Sequence, residues 1–255
     1  MTWSLVFMAL SALVCLFAPT VLAIIFIRKR GAKWRSFLIG AVVFTVFQIL
    51  TRIPLLQWMQ TAAWFPLFTL SQPVVYILLL AFTAGLFEEV GRFAGIQLLR
   101  KPGLLDWNNA FVFGLGHGGV EAFWLVGINY AVAFVQSLIG QAPAALISTP
   151  ASYFLVGGVE RMLAVAMHIG FTMLVFYAVK ERKALYLLLA IAAHMVVDAA
   201  TPLLQLAGVS LDVWATEGIL AALTVPLILI TVRFKKLLGK QFQNIEGGFI
   251  NEKGI

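Results

Sequence analysis

The chain has 255 residues, 62% of them hydrophobic and 11% charged, with a formal net charge of +7. A soluble domain cannot hide that much apolar surface, because it needs charged residues to face water. The positive charge does not point to a nucleic-acid partner, since the basic residues fall in short clusters between apolar runs, as positive cytoplasmic loops do. The single cysteine, Cys15, excludes an internal disulfide and a cysteine-based metal cluster.

Apolar runs of about 20 residues, the length that crosses a hydrocarbon core, divide the chain into spans. The first is Trp3–Ile27, which lacks a basic leading region and a small-residue cleavage site and so reads as a span, not a signal peptide. Ser36–Leu56 is the second and Pro73–Leu99 the third. Between them, Thr61–Gln72, with Trp64, Phe65 and Pro66, reads as an interfacial or re-entrant piece. The fourth is Trp107–Leu125, continuing toward Ile139, and the fifth is Tyr153–Val179. Leu185–Leu206 and Glu217–Val232 complete the set.

Basic residues follow alternate spans. Arg28, Lys29, Arg30, Lys33 and Arg35 follow the first, and Arg100 and Lys101 the third. Lys180, Arg182 and Lys183 follow the fifth, and Arg233, Lys235, Lys236, Lys240 and Lys253 the seventh. Loops after the second, fourth and sixth carry no Lys or Arg. The positive-inside rule then puts the N-terminus outside and the C-terminus in the cytoplasm. The fold expected is all-α, a polytopic integral membrane bundle of about seven transmembrane helices. Residues 1–238 read as one transmembrane domain and 239–255 as a polar, disordered cytoplasmic tail. No internal repeat is visible. The short chain fits a multi-pass protein of a prokaryotic plasma membrane.

An ionisable side chain at mid-bilayer costs at least about 2.5–3.5 kcal/mol, so each needs a reason. The third span carries Glu88, Glu89 and Arg92, and the fourth His117 and Glu121. The fifth carries Glu160, Arg161 and His168, and the sixth His194 and Asp198. All three histidines of the chain are in this set. At 1.5 Å rise per residue, Glu88, His117, His168 and His194 each lie roughly 15–18 Å from the basic end of their span. Four helices thus bring a polar residue to one layer near mid-membrane. His117 and Glu121 share a helix face, as do His194 and Asp198, and Arg92 lies within reach of Glu88 or Glu89. Arg92 pairing with one glutamate leaves the other for chemistry. The run Gly114-Leu115-Gly116-His117-Gly118-Gly119 allows close helix approach and leaves room beside His117. Glu160 and Arg161 read as an ion pair that fixes spans. Arg52 and Glu217, near span ends, read as interfacial.

Glu88-Glu89-x-x-Arg92, Phe113-x-x-x-His117 and His194-x-x-x-Asp198 resemble the motifs of the type II CAAX protease and bacteriocin-processing superfamily, EExxxR, FxxxH and HxxxN. Within it, Gly116–Glu121, the segment from Glu160-Arg161 to His168, and the final His-x-x-x-Asp resemble the YhfC family, a relative of the PrsW proteases. Two departures stand out: Arg92 comes one residue early, and Asp198 replaces an asparagine. The resemblance implies an intramembrane endopeptidase of glutamic type. Glu88 or Glu89 would act as base, and His117 would help to activate water. His194 with Asp198 would support an oxyanion site, with Glu121 and His168 in supporting positions. The substrate implied is a membrane-embedded or membrane-anchored peptide.

No cofactor is expected on that reading. Zinc held by His117, His168 and His194 is the alternative within enzymes. A proton-coupled transporter using the same Glu, His and Asp residues is an alternative of a different class, and an inactive scaffold that binds transmembrane helices is another.

Overall fold

In lipid, every backbone N–H and C=O must be satisfied within the protein, and apolar runs of this length do so as helices. The computed structural model describes residues 2–250 apart from 101–103, 144, 145 and 147, and shows no strand among them. Lys101 and Lys253 lie outside the described residues. Helix α1 is Thr2–Arg30. The second span is built from α2 (Trp34–Phe44), a π-helical segment (Thr45–Arg52) and α3 (Ile53–Gln60). The short α4 (Phe65–Ser71) occupies the stretch expected to be interfacial, and α5 is Pro73–Gln97. The fourth span joins α6 (Trp107–Ala122), a π-helical turn (Phe123–Gly127) and α7 (Ile128–Leu138). Helices α8 (Ala151–Glu181), α9 (Ala184–Leu206) and α10 (Val213–Ile250) complete the chain.

Seven of these helical stretches are long and apolar enough to cross a membrane. The fourth continues to Leu138, so its extension beyond Leu125 is part of the same span. The largest difference from the sequence reading is at the end. The tail expected to be disordered from Gly239 is described as a continuation of α10 to Ile250. The π-helical segment in the second span has a covalent cause. Pro54 has no N–H for the carbonyl of Leu50, and the ladder reregisters around the gap.

Helix α8 is the axis of the bundle. It is buried along most of its length, while the other spans bury one face and turn apolar side chains such as Leu13, Val42, Leu188 and Leu229 outward. It touches α1, α5, α6, α9 and α10, so residues on its different faces meet every helix that carries an ionisable group at mid-span. Against lipid there is no hydrophobic drive for association, and close packing has to replace it. That is where the glycines act. A Cβ at Gly116 would collide with the carbonyl of Phe37, and one at Gly40 with the carbonyl of Phe113, so α2 and α6 meet backbone to backbone.

Gly40→Ala or Gly116→Ala is therefore expected to force α2 and α6 apart and cost about 1–3 kcal/mol. The midpoint of thermal unfolding in detergent reads this, and Gly218→Ala, which meets nothing within 4 Å, serves as the control that does not lower it.

Candidate active site

Glu88, Glu89 and Arg92 project from α5, His117 and Glu121 from α6, Glu160, Arg161 and His168 from α8, and His194 and Asp198 from α9. Glu88, Glu89, Arg92, His117, His168 and His194 are all more than nine-tenths buried. Gly85 and Gly118 let the helices close around them. A Cβ at Gly118 would press on His168 and the backbone of Val165, and one at Gly85 on His194 and the carbonyl of Ile191.

The centre of the group is Glu88. Its Oε2 lies 3.1 Å from His117 Nε2, 3.9 Å from His168 Nδ1 and 4.0 Å from His194 Nε2. Only the first is a hydrogen bond. Arg92 takes the other glutamate: its Nη1 pairs with Glu89, and its Nη2 lies 3.0 Å from His168 Nδ1. Since a guanidinium has donors only, His168 Nδ1 accepts, and its Nε2–H is left to donate to the carboxylate of Glu121. Glu89 Oε1 also lies 2.7 Å from His194 Nδ1. The carboxylate paired with Arg92 accepts from that nitrogen, which turns the Nε2 of His194 toward Glu88 and Asp198, the latter 3.7 Å away. Phe171 stacks on the His194 ring at 4.8 Å, and Phe44 meets His117 edge-on at 5.3 Å.

A second charge group lies beside the first. Arg161 Nη1 is 2.6 Å from Glu121 Oε1, and its Nη2 pairs with Glu160. Glu121 thus bridges His168 and Arg161, linking the ion pair to the histidine cluster.

Both groups open into a cavity of about 800 Å³. Its wall includes Glu88, Glu121, His168, His194 and Asp198, together with Arg52 and Glu217, the two residues expected at the interface. Those two are instead buried within the bundle. Arg52 stands at the end of the π-helical segment, where Nη2 reaches the carbonyl of Leu80 at 2.7 Å and the remaining donors meet Gln48 and Thr83. Glu217 is drawn inside because α10 begins a turn earlier than the apolar run suggested, at Val213. The available signal was the residue type itself, an ionisable group inside a predicted span.

Whether these residues suit a metal ion can be tested on their donors. Glu88, His117 and His168 each offer a ligand atom, all within 4.8 Å of one another. Two imidazoles and a carboxylate are a donor set that zinc accepts with one position open. His117 Nδ1 is buried with no hydrogen-bond partner among the described residues, which is unusual for a group kept for packing alone. The donor types fit the ion, provided His168 Nδ1 exchanges its contact with Arg92 for it. His194, the third histidine considered for zinc from sequence, is occupied at Nδ1 by Glu89 and presents its other nitrogen to the rim of the same cluster.

A carboxylate ringed by imidazoles, inside seven spans and facing a cavity, places the chain among multi-pass membrane proteins with a polar centre within the bundle. The chain belongs to the YhfC intramembrane metalloprotease family, whose model matches residues 11–220 and so includes every candidate site residue named from sequence. It is similar to the uncharacterised membrane protein YhfC of Bacillus subtilis (strain 168), at 32% identity over 253 residues, covering 92% of this chain and 97% of that one. No solved structure matches the chain.

Arg92→Ala is expected to leave the Glu89 carboxylate buried without its cation and to cost about 3–5 kcal/mol in detergent unfolding. Adding Glu89→Gln to Arg92→Ala should recover part of that loss, because the uncompensated charge is then gone.

Proposed function

We propose that the protein is an intramembrane endopeptidase that hydrolyses a peptide bond of a membrane-embedded or membrane-anchored substrate at Glu88. The reading rests on one observation: a cavity-facing carboxylate oxygen with three imidazole nitrogens within 4.0 Å. The family's description supports it.

Glu88, His117 and His168 would hold a divalent metal ion, zinc by their donor chemistry. Bound there, such an ion supplies a Lewis acid for the scissile carbonyl and for water. The chain's own groups do the rest. His194, its Nδ1–H directed to Glu89, presents Nε2 to the reacting centre and is placed to carry a proton between it and the leaving amine. Arg92 pairs with Glu89 and so orients the carboxylate that holds His194 Nδ1. Asp198 stands on the open side of His194, where its carboxylate stabilises the protonated ring. The burial of the cluster strengthens each of these interactions.

A second reading has its own observation. Arg92 already donates to His168 Nδ1, which leaves Glu88 and His117 as the groups with capacity to spare. On that reading Glu88 is the general base and no ion is needed.

One result tests both readings and a second separates them. Glu88→Gln should abolish cleavage of a membrane substrate on either one, with expression and thermal stability largely kept. Full activity in that variant would remove Glu88 from the chemistry. Chelator treatment should abolish cleavage and zinc should restore it, whereas undiminished turnover of metal-free protein would assign the reaction to the carboxylate alone.

A further inference from the structure

The cavity is one-sided. On α5 its lining runs from Ile77 to Glu88, on α9 from His194 to Pro202, and on α10 from Val213 to Leu220. These are the halves of each span that lie away from the Lys/Arg clusters. Two acids farther along that half are more exposed than Glu88. Side-chain exposure is 4% at Glu88 but 38% at Asp198 and Glu160. The site is therefore reached from the end of the bundle opposite the basic loops.

That route is acidic. Glu88, Glu121, Glu160, Asp198 and Glu217 line it, while the guanidiniums of Arg52 and Arg161 are already engaged by partners of the protein. A protein with a net charge of +7 has concentrated carboxylates in one cleft. Glu217 is the exception among them. It is 8% exposed, it lines the cavity, and its Oε2 is buried with no hydrogen-bond partner among the described residues. A buried carboxylate oxygen left without a donor is costly and calls for an explanation, and a donor brought by a bound segment is one. Glu217 and Asp198 stand on α10 and α9, which touch each other only sparsely, so a segment between those helices would pass both carboxylates.

We propose that Glu217 is a specificity residue that receives a lysine or arginine side chain of the substrate on the end of the bundle away from the basic loops. The proposal rests on the peptidase reading for the word substrate. The binding it describes can be measured without turnover.

The test uses the full chain carrying Glu88→Gln, in lipid nanodiscs, and fluorescein-labelled polyleucine transmembrane peptides that bear lysine, glutamine or glutamate at one flank. The lysine peptide should bind about tenfold more tightly than the glutamine peptide, and the glutamate peptide more weakly than both. Adding Glu217→Gln should remove the lysine advantage while leaving the affinity for the glutamine peptide in place, and Glu217→Asp should retain part of it. An unchanged lysine preference in Glu217→Gln, with the variant's thermal midpoint intact, overturns the proposal. So does the absence of any preference in the parent, the result expected of a carboxyl that stays protonated in the wall. Charge-selective binding with no cleavage of any peptide by the wild-type protein overturns the peptidase reading and leaves the subsite standing. Cleavage without charge selectivity does the reverse.

Discussion

Charge inside hydrocarbon is the constraint from which the rest of this bundle follows. Each ionised group buried between spans must meet an opposite charge or a set of donors, or it will not stay. Arg92 is the clearest instance. It is fully buried, it neutralises Glu89 three residues away, and it reaches across to His168 on α8. Glu89 passes the arrangement on to His194 on α9. One guanidinium thus sets the orientation of two histidines on two other helices. It also leaves Glu88 as the acid of the pair that faces the cavity.

The helices around this network are held by contact, not by the hydrophobic effect, since lipid is as apolar as the side chains it meets. The glycines at positions 40, 85, 116 and 118 matter for that reason. They bring α2 to α6, α5 to α9 and α6 to α8 closely enough for short polar side chains to meet. Aromatic rings close the gaps: Phe171 lies flat on His194, and Phe44 stands edge-on to His117. The cluster opens into the cavity on the side away from the basic loops.

Much of the fold was legible in the sequence because span length and the spacing of basic clusters are one-dimensional signals. The common depth of Glu88, His117, His168 and His194 was legible for the same reason, as depth follows from residue count at a fixed helical rise. Rotation was not. Which glutamate Arg92 takes, and that His194 turns one nitrogen to Glu89, depend on how helices distant in sequence face one another. Arg52 and Glu217 were misplaced by a related weakness. Distance from a span end predicts depth, but it does not predict that a π-helical segment or an earlier helix start will bring the side chain inside.

The central proposal is that Glu88, His117 and His168 form one ligand set inside the bundle. X-ray absorption at the zinc edge, on purified protein loaded with one equivalent of zinc, tests it most directly. The account predicts a first shell of two imidazoles and a carboxylate oxygen that loses one imidazole in His117→Ala. A shell without imidazole, or one unaltered by that substitution, would contradict it.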